Sequence, residues 1–173
     1  MAVKEVKLKD GRSILLREAV SDDIDRLTDF YTSLSDEVLI YSLPPYDRAR
    51  VERFLSGLGR DIIVLALDDE KIVGHLQIFV YTLPRLKGVG ELIIYLHQDY
   101  LNKGLGTGMM TFALDLSRRK GLHRISLQVV RDNKRAIRLF EKMGFALEGI
   151  LKDTYFGVDG RYHDILVMAK IFD

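Results

Sequence analysis

The sequence predicts one α/β domain over residues 1–173, and three observations point to it. The length of 173 residues is about that of a single domain and allows a substantial core to be buried. Hydrophobic residues make up 47% and charged residues 29%, which is ordinary for a globular protein and unlike a disordered or collagen-like chain. Segments with the apolar period of a strand alternate with segments of helical period, and no repeat or linker interrupts them.

Net charge and cysteine content exclude several classes of function. Lys and Arg number 26 and Asp and Glu 25, so the net charge of +1 offers no overall field for nucleic acid or an anionic membrane. Without cysteine there is no disulfide, thiolate metal ligand or cysteine nucleophile. No apolar stretch is long enough to cross a bilayer, and the first residues lack the apolar core of a secretory signal. We therefore expect a cytoplasmic protein.

The first half of the chain predicts a strand hairpin, a helical region and a second strand pair. Asp10-Gly11 supplies a hairpin turn, Ser21 is typical of a helix N-cap, and Pro44-Pro45 interrupts the helical region. Asp68-Asp69 separates two apolar runs and predicts the turn between neighbouring strands. In order, we expect strands at 6–8 and 13–17, helices over 21–34, from 35 to the prolines and over 47–58, and strands over 62–67 and 71–80.

The second half alternates strands with helices. Apolar residues at helical spacing predict two helices, which end at Gly121 and Gly144 because glycine is common just after a helix C-terminus. Asp159-Gly160 is typical of the turn in a final hairpin. We expect strands over 91–96, at 125–129 and over 145–151 and 163–171, and helices around 109–120 and 136–143.

A glycine-rich turn, Lys103-Gly104-Leu105-Gly106-Thr107-Gly108, lies between a predicted strand and a predicted helix. A helix N-terminus offers unpaired N–H groups and a partial positive charge, and glycine lets a phosphate approach the backbone. A Walker loop is excluded because no Lys-Ser or Lys-Thr follows the glycines. A dinucleotide fingerprint is disfavoured because the third glycine comes one residue early. The turn alone leaves two alternatives, a phosphate site or a tight turn without a ligand.

Two stretches together resemble the coenzyme motifs of the GNAT N-acetyltransferase superfamily. Motif A is similar to Asp99-Tyr100-Leu101-Asn102-Lys103-Gly104-Leu105-Gly106-Thr107, and motif B is similar to Leu127-Gln128-Val129 followed by residues 133–145. The tail over 148–168 resembles that of ribosomal-protein N-terminal and polyamine acetyltransferases. The resemblance implies a mixed, mostly antiparallel central sheet flanked by helices. It also implies direct transfer of acetyl from acetyl-coenzyme A (acetyl-CoA) to a primary amine.

The resemblance further implies where acetyl-CoA binds. Its pantetheine arm would pair with the strand before the turn, and its pyrophosphate would lie on the backbone amides of the turn. The asparagine that opens the motif B helix would bond the arm, although a plain N-cap is an alternative role. An amide near Leu96 would stabilise the oxyanion. The implied site consists of Ile94, Tyr95, Leu96, Asn102, Lys103, Gly104, Leu105, Gly106, Thr107, Asn133 and Phe140.

Three positions bear on catalysis. Leu101 stands where motif A usually has Gln or Arg, which should matter little if the phosphates contact backbone. Phe140 replaces the tyrosine that many members use as general acid on the departing thiolate, and phenylalanine has no proton to give. This replacement favours an alternative function, an acyl-CoA-binding sensor with weak turnover. Glu91 matches the glutamate that acts through water as the base on the acceptor amine, its alternative role being a solubilising strand-end carboxylate.

The acceptor is implied to bind near the C-terminal hairpin. Tyr155 and Tyr162 would line a pocket for the amine of a protein N-terminus, a polyamine or another small molecule, with core and hairpin roles as alternatives. Weaker candidates for the opposite wall are Tyr31, Tyr41 and Tyr46. The four histidines show no metal-ligand spacing, so we expect no metal. The sequence leaves the oligomeric state open, a homodimer included.

Overall fold

The computed structural model describes residues 2–172, and an eight-stranded sheet forms its centre. The strands are β1 (Val3–Lys7), β2 (Ser13–Glu18), β3 (Ile62–Asp68), β4 (Lys71–Val80), β5 (Val89–Leu96), β6 (Arg124–Val130), β7 (Ala146–Phe156) and β8 (Tyr162–Ile171). The helices are α1 (Ile24–Thr32), α2 (Asp36–Leu39), α3 (Arg48–Leu55), α4 (Leu105–Arg119) and α5 (Lys134–Lys142). This order confirms the predicted α/β class.

The sheet is mixed and mostly antiparallel, as the resemblance implied. Its strand order is β1-β2-β3-β4-β5-β6-β8-β7, and only the β5–β6 pair is parallel among the described strands. These two strands pair over a short stretch that ends with Glu91 opposite Ser126. Beyond it β5 stays paired with β4 as far as Leu96, and β6 stays paired with β8 as far as Val130. The two strands therefore separate, and the edge of each that faces the other is left unpaired.

Each face of the sheet has its own apolar core. β3 shows the division, because Val64 belongs to the core that contains α4 while Leu65 belongs to the core that contains α1 and α3. Burial on both faces explains why this strand is a continuous apolar run. The same alternation orients β5: Ile94 and Leu96 pack on the α4–α5 side, and Tyr95 packs on the α1–α3 side. A fully buried large side chain contributes roughly 1.5–3 kcal/mol, so the orientation of β3 is strongly held, while the partly buried side chains of β5 contribute less each.

The start of α1 differs from the prediction. Residues 21–23 form a 3₁₀ turn, and the side chain of Ser21 caps no helix. The buried carboxylate of Asp23 instead accepts the N–H of Val20 at 2.9 Å and pairs with Arg17 at 2.6 Å. An ion pair to a neighbouring strand leaves no pattern in the local sequence. The preference for serine at helix N-caps therefore predicted the wrong residue.

Two further boundaries also differ. The helical region is interrupted at the prolines as expected, but α2 already ends at Leu39 and α3 ends at Leu55, both earlier than expected. β7 continues to Phe156, five residues beyond the predicted end, because a register shift after Leu151 lets it stay paired with β8. Within residues 2–172 no helix is long and apolar enough to cross a membrane.

Candidate active site

A cavity of about 530 Å³ opens where β5 and β6 separate. Its size is within the range of ligand pockets that hold small molecules. Leu92–Leu96 and Gln128–Val130 form two walls. The glycine turn and one side of α5 line the cavity from the α4–α5 face. Val38, Tyr41 and Ser42 line it from the opposite face. The cavity thus passes between the strands from one face of the sheet to the other.

The glycine turn has the backbone shape that an anion site needs. Asn102 and Gly104 have φ angles of +60° and +95°, and α4 begins at the next residue. The first amides of an α-helix have no intrahelical acceptor, so those after Gly104 are free to bond a ligand. A Cβ placed on Gly106 would lie 3.0 Å from Leu139 and 3.3 Å from Leu96. Only glycine keeps this part of the cavity open without moving its neighbours.

Cationic side chains lie around the same turn. Lys9, Arg135 and Lys142 line the cavity, and the Lys142 ammonium lies 3.5 Å from the Thr107 hydroxyl. Lys103 points elsewhere, since its Nζ donates to the Asp99 carbonyl and pairs with Asp10 at 3.1 Å. These charges are local, because the chain as a whole is almost neutral.

Most of the residues implied for the coenzyme site lie together. Nine line the cavity, namely Ile94, Tyr95, Leu96, Asn102, Gly104, Gly106, Thr107, Asn133 and Phe140. The Lys103 and Leu105 side chains do not, and Leu105 is wholly buried in the core. Asn133 caps α5, its Oδ1 accepting the Ala136 N–H at 3.3 Å. The cap uses only the oxygen, and the side-chain amide nitrogen has no hydrogen-bond partner among the described residues.

A series of hydrogen-bonded side chains extends from Tyr95, which lines the cavity, into the α1–α3 face. The Tyr95 hydroxyl lies 2.7 Å from that of Tyr46, whose ring stacks on Tyr31 with centroids 4.7 Å apart. The Tyr31 hydroxyl in turn lies 2.7 Å from Nδ1 of His75. Burial lowers the pKa of His75 to about 3, so its imidazole is neutral. Burial raises the pKa of Tyr95, so this phenol keeps its proton at neutral pH.

The sequence offers only a weak signal for Tyr31, Tyr46 and His75. Tyr31 and Tyr46 were minor candidates, and His75 showed no metal-ligand spacing and so was not singled out. Tyr31 lies on α1, Tyr46 in the loop before α3 and His75 on β4, and only the packing of the helical region on the sheet brings them together. No spacing rule links residues this far apart in the chain.

Glu91 lies at the closed end of the cavity. It occupies the last paired position of β5 with β6, and the cavity lining begins at the next residue, Leu92. Its carboxylate accepts a hydrogen bond from the Tyr81 hydroxyl at 3.3 Å. Strand alternation directs the side chain to the same face as Ile93 and Tyr95. From this position a water molecule would be needed to connect Glu91 with a ligand in the cavity.

The two tyrosines expected in the acceptor pocket are not among the side chains that line the cavity. The Tyr155 hydroxyl lies 2.9 Å from the carbonyl oxygens of Ile40 and Ser42, and its proton is shared between them. Tyr155 therefore supports the segment that carries Tyr41 and Ser42. Tyr162 is 64% exposed and packs against Phe156, because the long β7–β8 hairpin carries it away from the sheet centre.

Residues 2–172 contain no group of three or more His, Asp or Glu side chains placed to hold a metal ion. The chemistry available at the site is therefore that of amides, hydroxyls, ammonium and guanidinium groups and one nearby carboxylate. Such a set can bind a phosphate-bearing ligand on one face of the sheet and present a second molecule from the other.

Comparison with known proteins agrees with this geometry. A family model described as "Acetyltransferase (GNAT) family" matches residues 26–145. An L-amino acid N-acetyltransferase of Escherichia coli is 28% identical over 160 residues, covering 91% of this chain and 98% of that protein. A spermidine N(1)-acetyltransferase of Vibrio cholerae is 36% identical over 76 residues, covering 43% of each chain.

A solved structure shares the whole fold. The phosphinothricin acetyltransferase of Sinorhizobium meliloti, crystallised in complex with acetyl-CoA, superposes with a TM-score of 0.80 at 23% identity. The match covers 96% of this chain and 89% of that protein. The fold of this chain is therefore shared with a protein crystallised in complex with acetyl-CoA.

Proposed function

The chain belongs to the GNAT family of acetyltransferases, and on that premise we propose that it transfers acetyl from acetyl-CoA directly to a primary amine. The observation that carries the proposal is the cavity between β5 and β6, with a glycine turn on one face of the sheet and an open wall on the other. Two reactants can enter it from opposite faces and meet between the strands.

The donor occupies the unpaired edge of β5. Pairing with β6 ends at Glu91, so backbone groups of the following residues face the cavity without a strand partner. Such groups favour an extended ligand that carries amides, as the pantetheine arm does. The diphosphate lies on the amides of Asn102–Thr107, and the side-chain nitrogen of Asn133 bonds the arm. The nearby ammonium and guanidinium groups favour the phosphates electrostatically.

The acceptor enters from the α1–α3 face. The side chains there are Val38, Tyr41, Ser42, Ile93 and Tyr95, and no Asp or Glu is found among the described residues that line the cavity. A polyamine would bring several positive charges to a wall without carboxylates. The cavity therefore favours a small primary amine of amino-acid type over a polyamine, in agreement with the relative that covers 91% of the chain.

The amine must be neutral to attack. At pH 7 an α-amine with a pKa near 8 loses its proton at a cost of about 1.4 kcal/mol, and a lysine-type amine at about 4.6 kcal/mol. Glu91 takes this proton through water, from its position at the closed end of the cavity. No acyl-enzyme forms in this scheme, since the chain has no cysteine to carry the acetyl group. The expected location is the cytoplasm.

A thiol-release assay tests the proposal. Acetyl-CoA is offered with a panel of amino acids, a peptide with a free N-terminus, spermidine and an aminoglycoside, and free coenzyme A is measured. We expect turnover with an amino acid or the peptide and at least tenfold lower kcat/KM with spermidine. Calorimetry with acetyl-CoA accompanies it. Tight binding without turnover on any acceptor would instead establish the sensor that Phe140 favours, and no binding at all would refute both functions.

A further inference from the structure

The proposed reaction leaves the departing thiolate without a proton donor, because Phe140 carries no hydroxyl. We propose that the Tyr95 hydroxyl, oriented by Tyr46, donates a proton to the sulfur of coenzyme A as the carbon–sulfur bond breaks. The inference rests on the proposed function and adds to it a catalytic residue on β5, on the face of the sheet opposite the helix that carries Phe140.

The other hydrogen bonds of Tyr46 indicate which of the two tyrosine hydroxyls is the donor. The Tyr46 oxygen already accepts the N–H of Leu43 at 3.1 Å, and it lies 2.7 Å from the Tyr95 oxygen. Tyr46 is buried, 8% exposed, and no third partner surrounds its hydroxyl among the described residues. Its own proton would be unsatisfied unless it is donated to Tyr95. Tyr46 therefore donates, and the proton of Tyr95 remains for a ligand.

Tyr46 is rigidly placed for this role. One side of its ring stacks on Tyr31, and the Arg50 guanidinium lies 4.5 Å from the ring centre. The same guanidinium bonds the carbonyl oxygens of Leu43 and Pro45, which fixes the loop that supplies the Leu43 N–H. A donor held in this way contributes without reorganising when charge develops on the Tyr95 oxygen.

Tyr95 also stands in the right part of the cavity. It lies on the strand segment that has lost β6 as its partner, between Ile94 and Leu96, whose side chains face the coenzyme side. Its ring projects to the face from which the acceptor enters. The reacting sulfur must lie where the two faces meet, so a hydroxyl here can reach it. Burial keeps the phenol protonated, so Tyr95 has a proton to donate, and the Tyr46 donor offsets part of the cost of leaving a phenolate behind.

The step balances in atoms and charge. The neutral amine nitrogen forms a bond to the acetyl carbon and gives up to water the proton it then carries in excess, while the electron pair of the carbon–sulfur bond passes to sulfur. Sulfur takes the proton of Tyr95, and coenzyme A leaves as the thiol. The resulting phenolate accepts the hydrogen bond of Tyr46 until it regains a proton from water, which offsets the one that nitrogen gave up. The proton that Glu91 took before the attack returns to solvent.

The test compares hydroxyl deletions that keep each ring. We expect Tyr95→Phe to lower kcat by roughly 100-fold, within the usual range for a general acid, with little change in the KM for acetyl-CoA. Tyr46→Phe should lower kcat by a smaller factor, because Tyr95 keeps its proton but loses its donor. The matched control is Tyr100→Phe, whose hydroxyl donates to Asp68 at 2.6 Å away from the cavity and whose removal should leave kcat unchanged.

A second variant distinguishes protonation of sulfur from placement of the acceptor. Phe140→Tyr in the Tyr95→Phe background restores a hydroxyl at the family position, and we expect it to recover kcat at least tenfold. Recovery supports the proposal. A loss in Tyr95→Phe that appears in the acceptor KM and is not recovered would overturn it, as would an unchanged kcat. Turnover by the unmodified chain is measured first: its absence refutes the proposed function and this inference together, whereas turnover indifferent to Tyr95 refutes the inference alone.

Discussion

The two faces of the sheet build their halves of the cavity by different means. The α4–α5 face relies on backbone: a turn with positive φ at Gly104, the free amides that begin α4, and the unpaired edge of β5. The α1–α3 face relies on side chains, with Tyr31, Tyr46 and Tyr95 arriving from separate elements. In the proposed function, backbone geometry binds a constant group, the coenzyme, whereas side chains can vary with the acceptor. The difference separates a general half of the site from a specific half.

The largest expected effect is on the backbone half of the site, which contains the glycine turn. Gly106→Glu places a side chain where a Cβ alone would already lie 3.0 Å from Leu139, and a carboxylate beside the expected phosphates. We expect acetyl-CoA affinity measured by calorimetry to fall on the order of 100-fold or more, by about 2.7 kcal/mol. The control Gly149→Ala meets nothing within 4 Å and should bind normally. A Gly106→Glu variant that is folded by circular dichroism and binds normally would contradict the phosphate cradle.

The next effect concerns Glu91, at the closed end of the cavity. Glu91→Gln keeps the shape and the Tyr81 contact but cannot accept a proton at neutral pH, so we expect kcat to fall roughly 100-fold while acetyl-CoA binding is unchanged. Steady-state kinetics with the best acceptor of the panel provides the measurement. An unaltered kcat would leave Glu91 as a strand-end carboxylate and require another base.

A smaller effect is expected on the α1–α3 side of the cavity. Tyr155→Phe removes the hydroxyl that lies 2.9 Å from the carbonyl oxygens of Ile40 and Ser42. The loss of one such hydrogen bond costs about 1–3 kcal/mol, so the segment that carries Tyr41 should become less well placed. We expect the acceptor KM to rise about tenfold with no change in the calorimetric affinity for acetyl-CoA, since the coenzyme half is independent of this segment. Parallel losses in both would show that the two halves are coupled.

The smallest effect lies where the hairpin meets the start of α5. His163 places Nδ1 2.6 Å from Asp132 and Nε2 3.0 Å from Asp159, and these hydrogen bonds, Asp159 first, raise the pKa of His163. Its stabilising contribution is complete below about pH 6.5, the unfolded value, and is lost as the pH rises through the raised folded value. We expect His163→Gln to lower the Tm more at pH 5.5 than at pH 9. An equal decrease at both pH values would show that the charge of His163 adds nothing.

The order and type of the elements were predictable because they depend on local patterns. The continuous apolar run of β3, the alternation of β2 and the helical spacing in α4 and α5 each correspond to an element near the expected position. The glycine turn and Asn133 were predictable for the same reason, because a helix terminus is a local structure. The N-cap at Ser21 was wrong because Asp23 is held by a charge on β2. The extension of β7 from Leu151 to Phe156 was missed because a register shift has no local signal.

The sequence by itself determined the α/β class, the position of the backbone half of the site, and the absence of a hydroxyl at Phe140. These follow from spacing, glycine positions and residue type over short stretches of chain. Only the tertiary structure decided that β5 and β6 separate after Glu91, that the Tyr46 and Tyr95 hydroxyls lie 2.7 Å apart, and that the Tyr155 hydroxyl contacts the segment that carries Tyr41. The physical reason is separation along the chain: these contacts join residues 35 to 113 positions apart, and packing of both faces on one sheet brings them together.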